Sequence, residues 1–171
     1  PADAEFICCL THDIDFFGIR RHKADRTLAG FALRGTIGTF VDVVRSRRPV
    51  GEALRNWGAV LVLPLVFIGL RRDLWNPFRD YAVADRGHKS TFFLVPFDNE
   101  PGVAPDGTVA RHRAVAYGIE HIREEIQQAR GPRTEFAVHG IDAWRSTERG
   151  LAEKRELLRV TEQPRTGVRM H

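Results

Sequence analysis

The sequence contains few cysteines and few lysines. The first shortage argues against a disulfide-stabilised scaffold, and the second, with the scattered positions of the arginines, argues against a nucleic-acid-binding protein. Its two cysteines, Cys8 and Cys9, are adjacent. Neighbouring residues of a strand point to opposite faces, so we expect no disulfide between them and no disulfide-stabilised scaffold. Only three of the 26 basic residues are lysines, and the basic residues are scattered, apart from Arg45, Arg47 and Arg48. Because a basic stripe with interleaved aromatic residues is missing, we expect no nucleic-acid partner.

The sequence also lacks a long hydrophobic run. The longest apolar segment, 59–70, is interrupted by Pro64 and is shorter than the roughly 20 residues that a membrane-spanning helix needs. We therefore expect a buried helix here, with a membrane-inserted helix as the weaker alternative. No secretory signal opens the chain. Because the chain begins with Pro1 and stops at His171, directly after a strand-like segment, we expect a fragment of a longer protein and predict no compartment.

What is present is typical of a globular domain. The chain has 171 residues, 43% of them hydrophobic, and a net charge of +4, which suits a single domain with a core of its own. Apolar, β-favouring segments alternate with helical segments, and this alternation predicts an α/β fold with a parallel sheet. The predicted strands lie at 6–10, 89–95 and 134–138 and from 166 onward. We interpret about 19–72 as a helical insertion into this one domain, 1–171, able to cover the site or to contact a partner.

Polar residues cluster where the predicted strands end. Asp13 and Asp15 are one residue apart, so on a continuing strand they point to the same side. Two carboxylates on one side repel each other unless a cation or a shared proton lies between them. Further polar residues follow the later strands, namely His139, Asp142, Arg169 and His171. Since Asp and His are typical zinc ligands, the pattern predicts a divalent metal site built from Asp15, His139 and a third group, with Asp13 as a base.

Structural roles for these residues stay open. Either aspartate of the first pair could cap a following helix, and so could Asp142. Arg169 could be an ordinary surface residue, while His12 should point away from the two aspartates. Trp144 could stack on a sugar or pack in the core.

Three segments resemble the successive motifs of NodB-type polysaccharide deacetylases, the fourth carbohydrate esterase family. They are Thr11-His12-Asp13-Ile14-Asp15, Lys89-Ser90-Thr91-Phe92-Phe93 and Glu135-Phe136-Ala137-Val138-His139-Gly140. The resemblance implies a distorted (β/α) barrel of parallel strands, of which this chain would hold about four. It also implies that Asp13 is the general base, that Asp15 and His139 bind a divalent metal, with zinc as the expected ion, and that Arg169 orients Asp13 through a charge-assisted hydrogen bond.

The chain departs from the family pattern at one ligand position. Ala143 stands four residues after His139, where the family has a second histidine, so Asp142 and His171 are the candidates for the third ligand. The family's later motifs, including the histidine that acts as general acid, would lie beyond His171. The implied reaction is hydrolysis of the N-acetyl group, or less often an O-acetyl group, of a sugar in a polysaccharide or glycan. In this reading Trp144 would line a sugar subsite.

Three alternatives remain beside the deacetylase. Ala143 motivates a degenerate, non-catalytic homologue that binds carbohydrate. A related metal-dependent hydrolase could act on a non-sugar amide. A module that contacts a membrane surface through 59–70 is the last alternative.

Overall fold

The computed structural model describes residues 9–22, 25–73, 75, 77–109, 111 and 114–170. The chain divides into two compact units. The sheet unit comprises Pro1–Phe17 and Asn76–His171, and the helical unit comprises Gly18–Trp75. In chain order the principal elements are β1 (Leu10–Ile14), α1 (Arg26–Leu33), α2 (Thr39–Val44), α3 (Val50–Phe67), α4 (Pro77–Ala84), β2 (Ser90–Leu94), α5 (Arg123–Ala129), β3 (Thr134–Gly140), α6 (Thr147–Thr161) and β4 (Val168–Met170).

The four strands of the sheet unit form one sheet in the order β1-β2-β3-β4, and each neighbouring pair is parallel. The predicted α/β class and parallel sheet are therefore confirmed. Two strands run further than the sequence indicates, because β1 ends at Ile14 and β3 at Gly140. Asp13 and His139 thus lie within strands. Their neighbours Ile14 and Val138 are buried on the other face of the sheet, which favours the extended conformation at these positions.

The two faces of the sheet differ in chemistry, as period-two alternation requires. One face carries the apolar core, in which Phe92 and Phe136 pack against Phe78 of α4, at ring-centroid distances of 5.3 and 5.7 Å. His12 lies on this face as predicted, with its Nε2 3.0 Å from a carboxylate oxygen of Asp85. The opposite face, called the polar face below, carries the remaining strand residues, which include Thr11, Asp13, Thr91, Phe93, Glu135, Ala137, His139 and Arg169.

Tyr117 joins two strands at the carboxyl edge of the sheet. Its buried hydroxyl donates a hydrogen bond to the carbonyl oxygen of Ile14 and lies 3.4 Å from the amide nitrogen of Val95, which donates to it. Burial raises the pKa of the Tyr117 hydroxyl, and the negative charge of Asp15 raises it further. The hydroxyl therefore stays protonated and remains a donor to the end of β1.

Glu153 of α6 holds the segment that follows β3. Its side chain is buried, and Oε1 accepts hydrogen bonds from the amides of Ile141 at 3.2 Å and Asp142 at 2.8 Å. The second oxygen, Oε2, is buried and accepts no hydrogen bond within the described part of the chain. Burial raises the pKa of the Glu153 carboxyl above its ordinary value, although the two amide donors act in the opposite direction.

The helical unit is built from two long helical stretches. Residues 26–44 are helical throughout, with a π-helical segment, Arg34–Gly38, between α1 and α2. The first stretch ends at a break that includes Ser46, whose φ of 54° is left-handed, and α3 then begins after Pro49. Gly35 permits close packing of the two stretches, because a Cβ at this position would lie 2.6 Å from Val60 Cγ2.

The prediction that 59–70 forms a buried helix is wrong. Most of the segment is helical, but its buried residues are Leu63 and Val66, whereas Leu61 is 78% exposed and Ile68 is 68% exposed. The error has a simple physical reason. A segment that is apolar on every side carries no periodic signal to show which of its residues pack.

Replacement of Glu153 tests the consequence of its raised pKa. A carboxyl group whose pKa is raised in the folded state destabilises the fold as it ionises, so the contribution of Glu153 to stability falls as the pH rises above the ordinary pKa of 4.5. Glu153→Gln retains the acceptor oxygen without the charge. We expect this variant to gain stability relative to the wild type between pH 4 and pH 8, measured as free energies of unfolding in urea.

Glu148→Gln, an exposed change on the same helix, is the control and should show no such gain. A difference between wild type and Glu153→Gln that stays constant across this pH range would contradict the account of Glu153.

Candidate functional site

Ionisable side chains from three strands converge on the polar face at the carboxyl edge of the sheet. Asp13 pairs in register with Phe93, and Phe93 with Ala137, while His139 pairs with Arg169. Ala137 and His139 are two residues apart on β3, so all five side chains lie on one face. Asp15 follows β1 directly. Chemistry in parallel α/β folds gathers at this edge, and the sequence prediction placed its site there.

Asp13 and Arg169 form the first pair of the site. Arg169 Nη1 donates to Asp13 Oδ1 at 3.1 Å, and its guanidinium carbon lies 5.6 Å from the centroid of the Phe93 ring. The Arg169 side chain is 50% exposed and that of Asp13 32% exposed, so solvent screens the ion pair and its contribution to stability is about 0–1 kcal/mol. Its main effect is therefore to fix the orientation of the Asp13 carboxylate.

Asp15 and His139 form the second pair. Asp15 Oδ1 lies 3.3 Å from His139 Nδ1, and the histidine side chain is buried while that of Asp15 is 43% exposed. Two ligand atoms that each lie about 2.0–2.1 Å from a tetrahedral zinc ion would be separated by about 3.3 Å. The observed separation therefore fits two of the ligands of one metal ion, and Asp15 and His139 could supply these two.

Asp142 and His171 are the two candidates for a third metal ligand. Asp142 is buried, and its Oδ1 accepts a hydrogen bond from the amide of Val103 at 3.0 Å. It does not cap α6, because the Ser146 hydroxyl accepts from the Arg149 amide there. His171 lies outside the described residues. Among the residues that the structure describes, no group of three or more His, Cys, Asp or Glu is placed to hold a metal ion.

Ala143, the residue four positions after His139, occupies a tight corner. A Cβ at Gly140 would lie 3.1 Å from the Ala143 side chain, and one at Gly150 would lie 3.5 Å from it. Small residues at all three positions let the start of α6 approach the end of β3. Trp144, the next residue, is 46% exposed on the loop between these elements.

Sequence reasoning missed three residues that support the site. Phe93 lies beneath the Arg169 guanidinium, Tyr117 fixes the ends of β1 and β2, and Glu153 fixes the loop after β3. The buried position of Glu153 could have been predicted from the sequence. Glu153 shares the helical stripe of Leu157 and Val160, at spacings of four and three residues, and a charged residue on an apolar stripe indicates a buried, partnered side chain.

A cavity of about 570 Å³ lies at the opposite edge of the sheet. Its lining includes Ser90 and Thr134, the first residues of β2 and β3, together with Asp85 and Arg133. The carboxyl edge is the candidate functional site because the two close ionisable pairs, Asp13–Arg169 and Asp15–His139, lie there.

Comparison of the chain with known protein families, with curated proteins and with solved structures found no match in any of the three.

Proposed function

We propose that the polar face at the carboxyl edge is the active centre of a metal-dependent hydrolase of the polysaccharide deacetylase type. It would cleave a carbon–nitrogen bond and remove the acetyl group from an N-acetylated sugar of a polysaccharide or glycan. The observation that carries the proposal is the contact between Asp13 and Arg169, 156 residues apart in the chain and 3.1 Å apart in space. The motif resemblance assigns these two residues to a base and to the group that orients it.

We further propose that the fold is a distorted (β/α) barrel of the NodB type. The parallel order of the strands supports a barrel. Flat neighbouring strands lie about 4.8 Å apart, so β1 and β4 of a flat sheet would be about 14 Å apart. Contact between Asp13 on β1 and Arg169 on β4 therefore requires the sheet to curve toward the polar face, as it does in a barrel.

In the proposed mechanism, Asp13 accepts a proton from a water molecule that attacks the acetyl carbonyl carbon. As the C–N bond breaks, the proton that Asp13 took from the water passes to the leaving nitrogen, so the products are acetate and the amine of the sugar. Arg169 keeps one Asp13 oxygen in place, so the other oxygen can point toward the water. The Phe93 ring beneath the guanidinium limits the positions that Arg169 can occupy.

A divalent ion held by Asp15 and His139, with Asp142 or His171 as the third ligand, would polarise the acetyl carbonyl and stabilise the negative charge that develops on its oxygen. Tyr117 helps to position Asp15, because its hydroxyl donates a hydrogen bond to the carbonyl oxygen of Ile14, the residue before Asp15.

A non-catalytic homologue that binds carbohydrate is the second candidate function. Ala143 in place of the expected histidine favours it, and so does the exposed ring of Trp144, since aromatic faces stack on sugars. The two candidates differ in turnover. Both predict binding of N-acetylated oligosaccharides, but acetate release is expected of the hydrolase alone.

Metal titration is the first test of the proposed centre. We expect the wild type to bind about one zinc ion per chain, as a catalytic site with three protein ligands does. Asp15→Ala and His139→Ala each remove one ligand, and we expect each to weaken zinc binding by at least about 100-fold. Isothermal titration calorimetry and metal analysis by mass spectrometry measure the affinity and the stoichiometry.

Matched controls are Asp106→Ala and His88→Ala, exposed residues that should leave zinc binding unchanged. Adding Asp142→Ala and His171→Ala to the series identifies the third ligand as the one whose loss weakens binding. A wild type that takes up no zinc, cobalt or manganese would rule out the metal-dependent mechanism.

Arg169 provides the second test, on the orientation of the base. Arg169→Gln removes the charge-assisted hydrogen bond to Asp13, and we expect acetate release from N-acetylated chitin oligosaccharides to fall about 10- to 100-fold. Zinc affinity should stay within about two-fold of wild type, because Arg169 is no metal ligand. Arg169→Lys should recover part of the rate, since it restores the charge without the planar fork.

Arg149→Gln, an exposed change on α6, is the control and should leave the rate unchanged. Equal rates for wild type and Arg169→Gln would contradict the orienting role. Oligosaccharide binding without acetate release from the wild type would favour the carbohydrate-binding homologue instead.

A further inference from the structure

The helical unit exposes an apolar stripe along its first helical stretch. Leu33, Ile37, Phe40 and Val44 are each 58–68% exposed. Their spacings of four, three and four residues place them on one side of a helix. A stripe of this kind normally packs against a core, and here it remains on the surface.

A second exposed stripe runs along α3 and beyond its end. Leu54, Leu61, Leu65 and Ile68 follow one another at spacings of seven, four and three residues and are 38–78% exposed. Only 6% of the residues in the Arg26–Val44 helical stretch and 17% of those in α3 are buried, and both are long and apolar enough to cross a membrane. Such low burial distinguishes them from the core helices of a soluble domain.

The two stripes lie on the same side of the helical unit. An apolar groove of about 360 Å³ is lined by Ile37 and Phe40 of the first stripe and by Leu61 of the second, with Trp57 and Val60 also in its wall. The stripes therefore join into one continuous surface, called the exposed apolar face below. Contiguous apolar patches of this extent mark interaction sites.

The charge of the helical unit indicates what the exposed apolar face contacts. Gly18–Trp75 contains eleven basic and four acidic residues, a net charge of +7, whereas the rest of the chain carries a net charge of −3. Basic residues stand at both ends of α3, with Arg45, Arg47 and Arg48 before it and Arg71 and Arg72 after it. Apolar surface flanked by arginine matches the acyl chains and anionic headgroups of a lipid bilayer.

We propose that the helical unit binds the surface of an anionic lipid bilayer and inserts its exposed apolar face into the interfacial region. An interfacial position is favoured over a transmembrane one because Arg34 and Arg55 are exposed on the two helical stretches. An arginine near the bilayer centre is unfavourable, because its charge loses its contact with water. A unit that lies on the surface keeps these residues, and the basic residues at both ends of α3, at the level of the headgroups.

Sedimentation with lipid vesicles tests the proposal on the full chain. We expect the protein to sediment with phosphatidylcholine vesicles that contain about 30% phosphatidylserine and much less with phosphatidylcholine alone. Phe40→Glu combined with Leu61→Glu places two charges on the exposed apolar face and should reduce the bound fraction about ten-fold or more. Val83→Glu, at a residue that is 74% exposed in the sheet unit, is the matched control and should bind as the wild type does.

A second pair of variants tests the charge. Arg45→Gln, Arg47→Gln and Arg48→Gln together should remove most of the preference for anionic vesicles. The same change at Arg79, Arg149 and Arg155, exposed residues of the sheet unit, should leave the preference intact. Circular dichroism identifies any variant that has lost helix, and Leu61→Gln replaces the double glutamate variant if that one unfolds.

Three results would overturn the proposal. The first is a wild type that does not sediment with anionic vesicles. The second is a wild-type dimer that Phe40→Glu and Leu61→Glu convert to a monomer, without vesicle binding by either protein, which would make a second copy the occupant of this face. The third is retention in the membrane after extraction with alkaline carbonate, which would place the helices across the bilayer.

Discussion

Asp13 and Asp15 place two negative charges on one face of a parallel sheet. The other residues of the site are arranged so that each of these charges has a partner. Each carboxylate has a partner from a strand later in the chain, Arg169 for Asp13 and His139 for Asp15. Both contacts depend on the strand order and on the register that β1, β3 and β4 keep within the sheet. The buried Tyr117 hydroxyl and the buried Glu153 carboxyl contribute to this arrangement, since they hold the backbone at the ends of β1 and β3.

Much of the sheet unit could be predicted from the sequence, because its signals are local. Strand alternation places Asp13 opposite His12 and on the same face as Asp15, and helix stop signals such as Gly87, with φ of 79°, mark the ends of elements. The distance between Asp13 and Arg169 could not be derived in this way. It depends on the order of four strands that lie far apart in the chain, and the sequence contains no local signal for that order.

In the helical unit, the sequence predicts helix but does not predict which residues are buried. The helical character of 19–72 was predictable, but the burial of 59–70 was not, because an apolar segment without periodicity looks the same in a core, in a membrane or on an exposed surface. The structure supplies the distinction, with Leu61 exposed and Leu63 buried.

The role of Asp142 could not be predicted from its residue type either. Its residue type suits a metal ligand, a helix cap or a loop anchor equally well, and its hydrogen bond to the Val103 amide is a contact with a distant loop.

The central claim is that Asp15 and His139 are two ligands of one metal ion beside a base held by Arg169. The most direct measurement is anomalous X-ray scattering at the zinc absorption edge, from crystals of the protein grown with zinc. The account predicts one anomalous peak on the polar face, about 2.0–2.2 Å from an Asp15 oxygen and a His139 nitrogen. Zinc bound elsewhere in the chain, with Asp15 and His139 still in direct contact with each other, would contradict it.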